Sequence, residues 1–359
     1  MASGRSNSGP LIALASAALF GASTPLAKRL LGDGVDPGLL AGLLYLGSGL
    51  GLGALALARR LGGPAPPAEA PLTRRDLPWL ALTVASGGVV GPLLLMIGLA
   101  RTPASSAALL LNVEGLATMA IAWVVFGENV DRRLLAGAAA ILAGALLLSW
   151  RGAPGSAGLG LGALAIVGAC LAWGVDNNLT RKLSAADPAQ IAMIKGLVAG
   201  AVNVALAMAR SAALPSPLRV AEAGVVGFFG YGVSLALFVL ALRHLGAART
   251  GAYFSTAPFI GASLAVALFG DPLTAPLVAA AALMGVGLWL HLAERHEHDH
   301  DHELLEHSHA HVHDAHHQHA HAPGEPVTEP HSHPHRHGPL VHRHPHYPDL
   351  HHRHGHSHG

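Results

Sequence analysis

Apolar runs about twenty residues long, each ended by charge or by Pro and Gly, recur from residue 10 to residue 293. A hydrocarbon core of roughly 30 Å takes about 20 helical residues to cross. The pattern therefore predicts ten transmembrane helices, over 10–31, 38–58, 77–100, 104–126, 133–150, 159–181, 189–209, 221–242, 248–269 and 275–293. The expected fold class is an all-α integral membrane protein with a disordered His-rich tail. Gly87-Gly88, with Gly91-Pro92, and Gly230-Tyr231-Gly232 interrupt the third and eighth runs, and Pro258 the ninth. Backbone flexing or kinking is expected at each.

The runs are internally related. "FGASTPLAKRLLGDGVDP" (Phe20 to Pro37) aligns with "WGVDNNLTRKLSAADP" (Trp173 to Pro188) after a two-residue gap, and "ALARR" at 56–60 meets "AMAR" at 207–210. Leu99 to Glu128 aligns without gaps with Leu242 to Asp271. Each copy holds five helices, an odd number, so the second enters the membrane in the opposite sense. Such inverted repeats place a substrate site where the halves meet, near the midplane. The expected organisation is a short N-terminal segment (1–9), a first repeat (10–150), a second repeat (159–293) and a tail (294–359).

Two five-helix repeats resemble the EamA family of the drug/metabolite transporter superfamily. Each opens with an aromatic-Gly and a basic pair, and each fourth helix ends in Phe126-Gly127-Glu128 or Phe269-Gly270-Asp271. The resemblance implies a ten-helix carrier of small organic solutes, commonly an exporter of amino acids or metabolites. One departure concerns the Glu-Pro pair often found midway along a fourth helix in that family. Here Glu114 is followed by Gly115, and the aligned second-half positions are Ala257 and Pro258.

Composition sharpens the class. The chain has 359 residues, 51% apolar and only 12% charged, with a mean hydropathy of +0.43 despite its polar tail. No nucleophile with its base and no phosphate-cradling loop occurs, so neither catalysis nor a nucleic-acid partner is expected. The partners expected are the lipid bilayer and a small-molecule substrate. Lys and Arg favour the cytoplasmic side. Placing the N-terminus inside puts twelve of these residues in inner segments and six in outer ones, which predicts an inner (plasma) membrane protein with both termini cytoplasmic. Lys28 and Arg29 after the first run mark it as a retained helix rather than a leader. The lone Cys170 reads as a small apolar helix residue.

Ionisable groups at membrane depth cost about 2.5–3.5 kcal/mol on insertion scales, so they face a cavity or a partner. Glu114 lies near the middle of its run, with Asn112 and Thr118 nearby. It is either a protonated residue bonded to a neighbouring helix or a cavity carboxylate that takes a cation or a coupling proton. Lys195 lies two turns into the seventh run. It either snorkels to the interface or pairs with Asp176, Glu114 or a substrate carboxylate. On a helix Trp173, Asp176, Asn177 and Thr180 share one face, from which Asn178 diverges. That face suits interhelical bonding or substrate contact, while Gly196 and Gly200 suit packing. Tyr253 and Thr256 precede Pro258. The candidate substrate site is thus Glu114, Asn112, Asp176, Asn177, Lys195, Tyr253 and Thr256, and no cofactor is expected to be required.

Of 26 His, 24 lie beyond Arg295, many as His-x-His. Such a segment has too few apolar residues to build a core, although a short helical extension over 294–309 is conceivable. Imidazoles and carboxylates suit Zn, Ni, Co or Cu ions, with His296, His298, His300, His302, His307, His309, His311 and His313 as candidate ligands. Two alternatives to an organic-solute carrier follow. One is a divalent metal (Ni/Co/Zn) transporter using Glu114, Asp176, Cys170 and His291. The other is a membrane-anchored metal buffer without transport.

Overall fold

The computed structural model describes residues 8–62, 72–126, 132–151, 158–180, 183, 187–238, 240–241, 250 and 253–292, together with 297–301, 305–311, 331–337 and 341–345 of the tail. The first half consists of α1 (Ser8–Gly32), α2 (Pro37–Gly62), α3 (Leu77–Thr83), a first π turn (Val84–Val90), α4 (Gly91–Arg101), α5 (Ala104–Leu110), α6 (Val113–Phe126) and α7 (Arg132–Ser149). The second half holds α8 (Leu161–Thr180), α9 (Pro188–Ala209), α10 (Pro217–Gly227), a second π turn (Phe228–Val233), α11 (Ala257–Phe269) and α12 (Ala275–Leu292). Two residues from each side of the junction, Trp150–Arg151 (β1) and Gly158–Leu159 (β2), pair antiparallel between the halves.

Among the described residues seven segments are long and apolar enough to span a bilayer: Gly9–Gly32, Pro37–Arg59, Leu77–Arg101, Ala104–Val125, Arg132–Ser149, Ala189–Ala209 and Pro217–Phe238. The helices α8, α11 and α12, of 20, 13 and 18 residues, occupy the other three of the ten expected positions. Large apolar side chains such as Leu57, Val124, Val125, Leu161 and Trp289 lie more than half exposed. Water would oppose so much apolar surface, whereas lipid accepts it.

Close helix approach organises the interior. At the α2–α9 crossing a Cβ built on Gly196 would lie 2.7 Å from Gly49 N, so only glycines admit that backbone spacing. Gly196 and Gly200 are packing points, as the spacing predicts. The repeat also reappears as contacts. A Cβ on Gly21 of α1 would lie 2.4 Å from the Ala257 carbonyl oxygen of α11, and one on Gly174 of α8 would lie 2.8 Å from Ala117 Cβ of α6. Gly21 aligns with Gly174, so the two crossings are equivalent.

Two of the expected helices are interrupted, the ninth where Pro258 predicts a kink. The fourth run is not continuous: Leu111 N and Asn112 N bond back to Ala108 O and Leu109 O, and this turn separates α5 from α6. In the ninth run Thr256 N bonds to Tyr253 O, so α11 starts only at Ala257. Leu111-Asn112 and Phe254-Ser255 are aligned positions, and only the second break has a proline beside it. The flexing expected in the third and eighth runs takes the form of the two π turns.

One end of the bundle is tied across the halves. Gly270, at φ 64°, closes α11 in the left-handed conformation that glycine tolerates. That turn delivers Asp271, whose Oδ2 accepts from Ser105 N (3.0 Å) and Ser105 Oγ (2.7 Å) in the first turn of α5. At the same end Arg219 pairs with Asp33 at 3.1 Å, and Lys28 Nζ donates to the carbonyls of Leu99 and Thr102 where α4 finishes. The aligned Glu128, Arg181 and Lys182 lie outside the described residues. Toward the other end Arg133 lies 5.5 Å over the Trp289 ring, joining α7 to α12.

In the tail, where the sequence predicts no fixed structure or a helical extension, Glu297–Asp301 (β3) pairs with Val341–Pro345 (β6), and Leu305–His311 (β4) with His331–His337 (β5), all antiparallel. Within the expected extension, 297–301 and 305–309 are strand rather than helix, and a strand's period of two matches the His-x-His alternation.

Candidate functional site

The break before α6 sets up the site. It places Glu114 in the first turn of α6, where the helix dipole favours a carboxylate. Glu114 N bonds to Leu111 O, closing that turn. The residue lies at the middle of the Ala104–Val125 span, half-buried. Across the crossing, Asn177 Nδ2 of α8 donates to Glu114 Oε1 at 3.0 Å and to Thr118 Oγ1 at 3.2 Å. Thr118 Oγ1 in turn donates to the Glu114 carbonyl. A second-half amide thus holds a first-half carboxylate, and Asn177 itself is exposed.

One residue away, buried Asp176 forms an ion pair with Lys195 of α9. Thr180 Oγ1 lies 3.3 Å from Asp176 Oδ1. The pair abuts the first π turn, whose freed carbonyls are taken by side chains from three helices. Tyr45 Oη (2.8 Å) and Trp173 Nε1 (2.9 Å) donate to Gly87 O, and Asn203 Nδ2 (3.1 Å) donates to Gly88 O.

Of the predicted residues, Glu114, Asp176, Asn177 and Lys195 come together. Among the partners left open for Lys195, the structure selects Asp176. Asn112 stands apart: its Nδ2 donates to Leu109 O at the α5–α6 break and approaches Met284 Sδ at 3.8 Å. Thr256 Oγ1 donates to Tyr253 O, so these two close the break before α11 rather than joining the polar cluster. Asn178 diverges from the shared helical face, as the spacing predicts, and still meets α6. It is buried and donates to Thr118 O (3.0 Å) and Gly174 O (2.8 Å), because α8 turns its next residue into the α6 crossing as well.

Tyr45 and Asn203 were not singled out from the sequence. Their signal is weak: Asn203 shares the apolar α9 with a second amide, Gln190, and Tyr45 shares α2 with a second hydroxyl, Ser48. Of the proposed metal ligands in the membrane, Cys170 is buried with Sγ 3.7 Å from Leu110 O, and His291 Nε2 lies 3.1 Å from Leu134 O. Among the described residues no three His, Cys, Asp or Glu side chains converge. In the tail, His298, His300, His307, His309 and His311 fall on strands, while His296, His302 and His313 lie outside the described residues.

Comparison with known proteins places this geometry. Residues 7–150 and 160–293 each match the EamA-like transporter family. An uncharacterized transporter of Methanothermobacter thermautotrophicus is 29% identical over 209 residues, which is 57% of this chain and 61% of that protein. A protein crystal structure with 22% identity matches the fold with a TM-score of 0.57, covering 79% of this chain and 95% of the other.

Proposed function

Since the chain belongs to the EamA-like transporter family, a family of multi-pass membrane transporters, we propose that it is an alternating-access carrier of small organic solutes such as amino acids or metabolites, working as an exporter in the inner membrane. The observation that carries this reading is the bridge from Asn177 of the second half to Glu114 and Thr118 of the first, beside the Asp176–Lys195 pair. Substrate sites of inverted-repeat carriers lie at such a junction, next to a discontinuous helix. Rocking of the halves would make and break that bridge.

Glu114 supplies a carboxylate for a cationic group on the cargo or for a coupling proton, and Lys195 an ammonium for an anionic one. The inter-half ties at Asp271–Ser105 and Arg219–Asp33 support a state closed at the end where α1 finishes. The exposure of Asn177, near the opposite end of α8, supports access from that other side. With both termini cytoplasmic, this is access from the cytoplasm, as an exporter loading cargo requires. The alternating imidazoles and carboxylates of the tail support binding of Zn, Ni, Co or Cu ions there, as a buffer or regulator beside the transport path.

Flux into proteoliposomes of amino acids, nucleobases and Ni, Co or Zn ions tests the reading, using the full chain and a chain stopped after residue 295. Organic flux that survives truncation and is lost in Glu114→Gln is the expected result. Metal flux that vanishes with the tail would overturn it in favour of a metal carrier.

A further inference from the structure

The two π turns occupy related positions. Gly87 falls on Gly230 in the register that matches Leu99 with Leu242, and Asp176 falls on Ser23 in the register that matches Trp173 with Phe20. Both contacts recur in three dimensions. A Cβ on Gly87 would lie 2.0 Å from Asp176 Oδ2, and one on Gly230 would lie 2.5 Å from Ser23 Cβ. The surroundings then diverge. Lys195 aligns with Leu44 when Pro188 is set on Pro37, so the ion pair at the first turn corresponds to a serine and a leucine at the second. Ser23 Oγ donates to Phe20 O of its own helix and is hydrogen-bonded to the Tyr231 side chain of the second turn, and that turn is lined by aromatic contacts of Tyr231 with Phe20 and Tyr45.

At the first turn the ion pair ties α8 to α9 over Gly87 and Gly88; a Cβ on Gly88 would lie 3.5 Å from the Lys195 stem. Through Trp173 and Asn203 the same two helices hold the turn's carbonyls. Separating α8 from α9 would leave the turn's carbonyls only the bond from Tyr45 of α2 to Gly87 O.

Resting on the carrier reading above, we propose that the Asp176–Lys195 pair locks the third-span π turn, and that a zwitterionic solute opens the lock by inserting between the two side chains. Removing one partner of a buried pair strands an uncompensated charge. An anion alone would take Lys195 and leave Asp176 bare, and a cation alone would do the reverse. A solute bearing both signs gives its anionic group to Lys195 and its cationic group to Asp176, so no charge is left unpaired. Lys195 and Asp176 are then the residues that select for paired charges. Among the described residues the eighth-span turn has no ion pair against it, and its response is expected to be indifferent to the cargo's charge.

Amide hydrogen exchange of the full chain in lipid nanodiscs reads the lock directly. Asp176→Asn and Lys195→Gln are expected to speed exchange over 84–90 by about tenfold, leave 228–233 as in wild type, and keep protection in Lys195→Arg. In wild type, alanine, leucine or glutamine is expected to raise exchange over 84–90, whereas propionate and alanine methyl ester do not. The lock is overturned if both neutral variants stay as protected as wild type over 84–90, or if 228–233 opens equally. The zwitterion is overturned if a singly charged probe matches the amino acids, or if none of the amino acids changes the turn. Organic flux with an unresponsive turn would sink this inference and leave the carrier reading standing, while absence of all organic flux would sink the latter by itself.

Discussion

The crossing of α8 with α6 and the crossing of α1 with α11 are built from aligned positions, and they carry different side chains. Both rest on one glycine, Gly174 in the first and Gly21 in the second, pressed against a facing backbone. Above that shared contact, α8 carries Asp176, Asn177 and Asn178 where α1 carries Ser23, Thr24 and Pro25, and α6 carries Glu114 where α11 carries Ala257. The scaffold recurs in both copies, and the carboxylates sit in one crossing only. Packing at the crossing therefore says little about where cargo is handled, while the side chains one turn along say a great deal.

The sharpest way to break this contrast is to strand a charge. Lys195→Ala leaves Asp176 buried and unpaired and is expected to cost about 3–5 kcal/mol, read as a lowered Tm in detergent. Asp176→Asn combined with Lys195→Gln should recover most of that loss; an undiminished loss in the double variant would mean that the pair's surroundings, not its charge, hold the fold.

The scaffold itself should respond symmetrically. Gly21→Ala and Gly174→Ala each force a methyl into backbone contact and should each lower stability by about 1–3 kcal/mol. Unequal losses in thermal melts would contradict the equivalence of the crossings.

Transport should instead respond asymmetrically. Asp176→Ala is expected to reduce vesicle flux severely. Ser23→Ala removes one local hydrogen bond worth about 1 kcal/mol and should leave flux near wild type. The smallest effect is expected from stopping the chain after residue 295: unchanged Tm and organic flux, with loss of Zn or Ni affinity by calorimetry.

Much of the fold was legible because a bilayer imposes a coarse rule: apolar runs of helical length had to be spans, and their odd number per repeat had to invert the second half. The site was legible only where burial is costly. Glu114, Asp176, Asn177 and Lys195 stood out because charge and amide are rare at that depth. The partner of Lys195 was not legible, since which helix faces which is set by glycine-mediated crossings rather than by any pattern within one helix. Asn178 diverges from the face of Trp173, Asp176 and Asn177 as ideal helical spacing has it, and what the spacing did not reveal is that α6 meets this side of α8 too, through Thr118 O. Tyr253 and Thr256 were legible beside the kink expected at Pro258, while Asn112, read as a substrate residue, bonds to the carbonyl of Leu109 at the α5–α6 break. Gly87-Gly88 and Gly230-Tyr231-Gly232 marked where the third and eighth spans would flex but not that the flexing would be a π turn, and the capping role of Asp271 lay inside a motif whose physical purpose needs the facing helix to be seen.

The most direct measurement is amino-acid counterflow in proteoliposomes for Asn177→Leu and Glu114→Gln beside Thr24→Val, the aligned change in the other half. If cargo is handled at the α8–α6 crossing, the first two should each lose at least about tenfold in rate, a loss of roughly 1.4 kcal/mol or more, with Thr24→Val close to wild type. Wild-type counterflow in Glu114→Gln and Asn177→Leu, or an equal loss in Thr24→Val, would contradict the account.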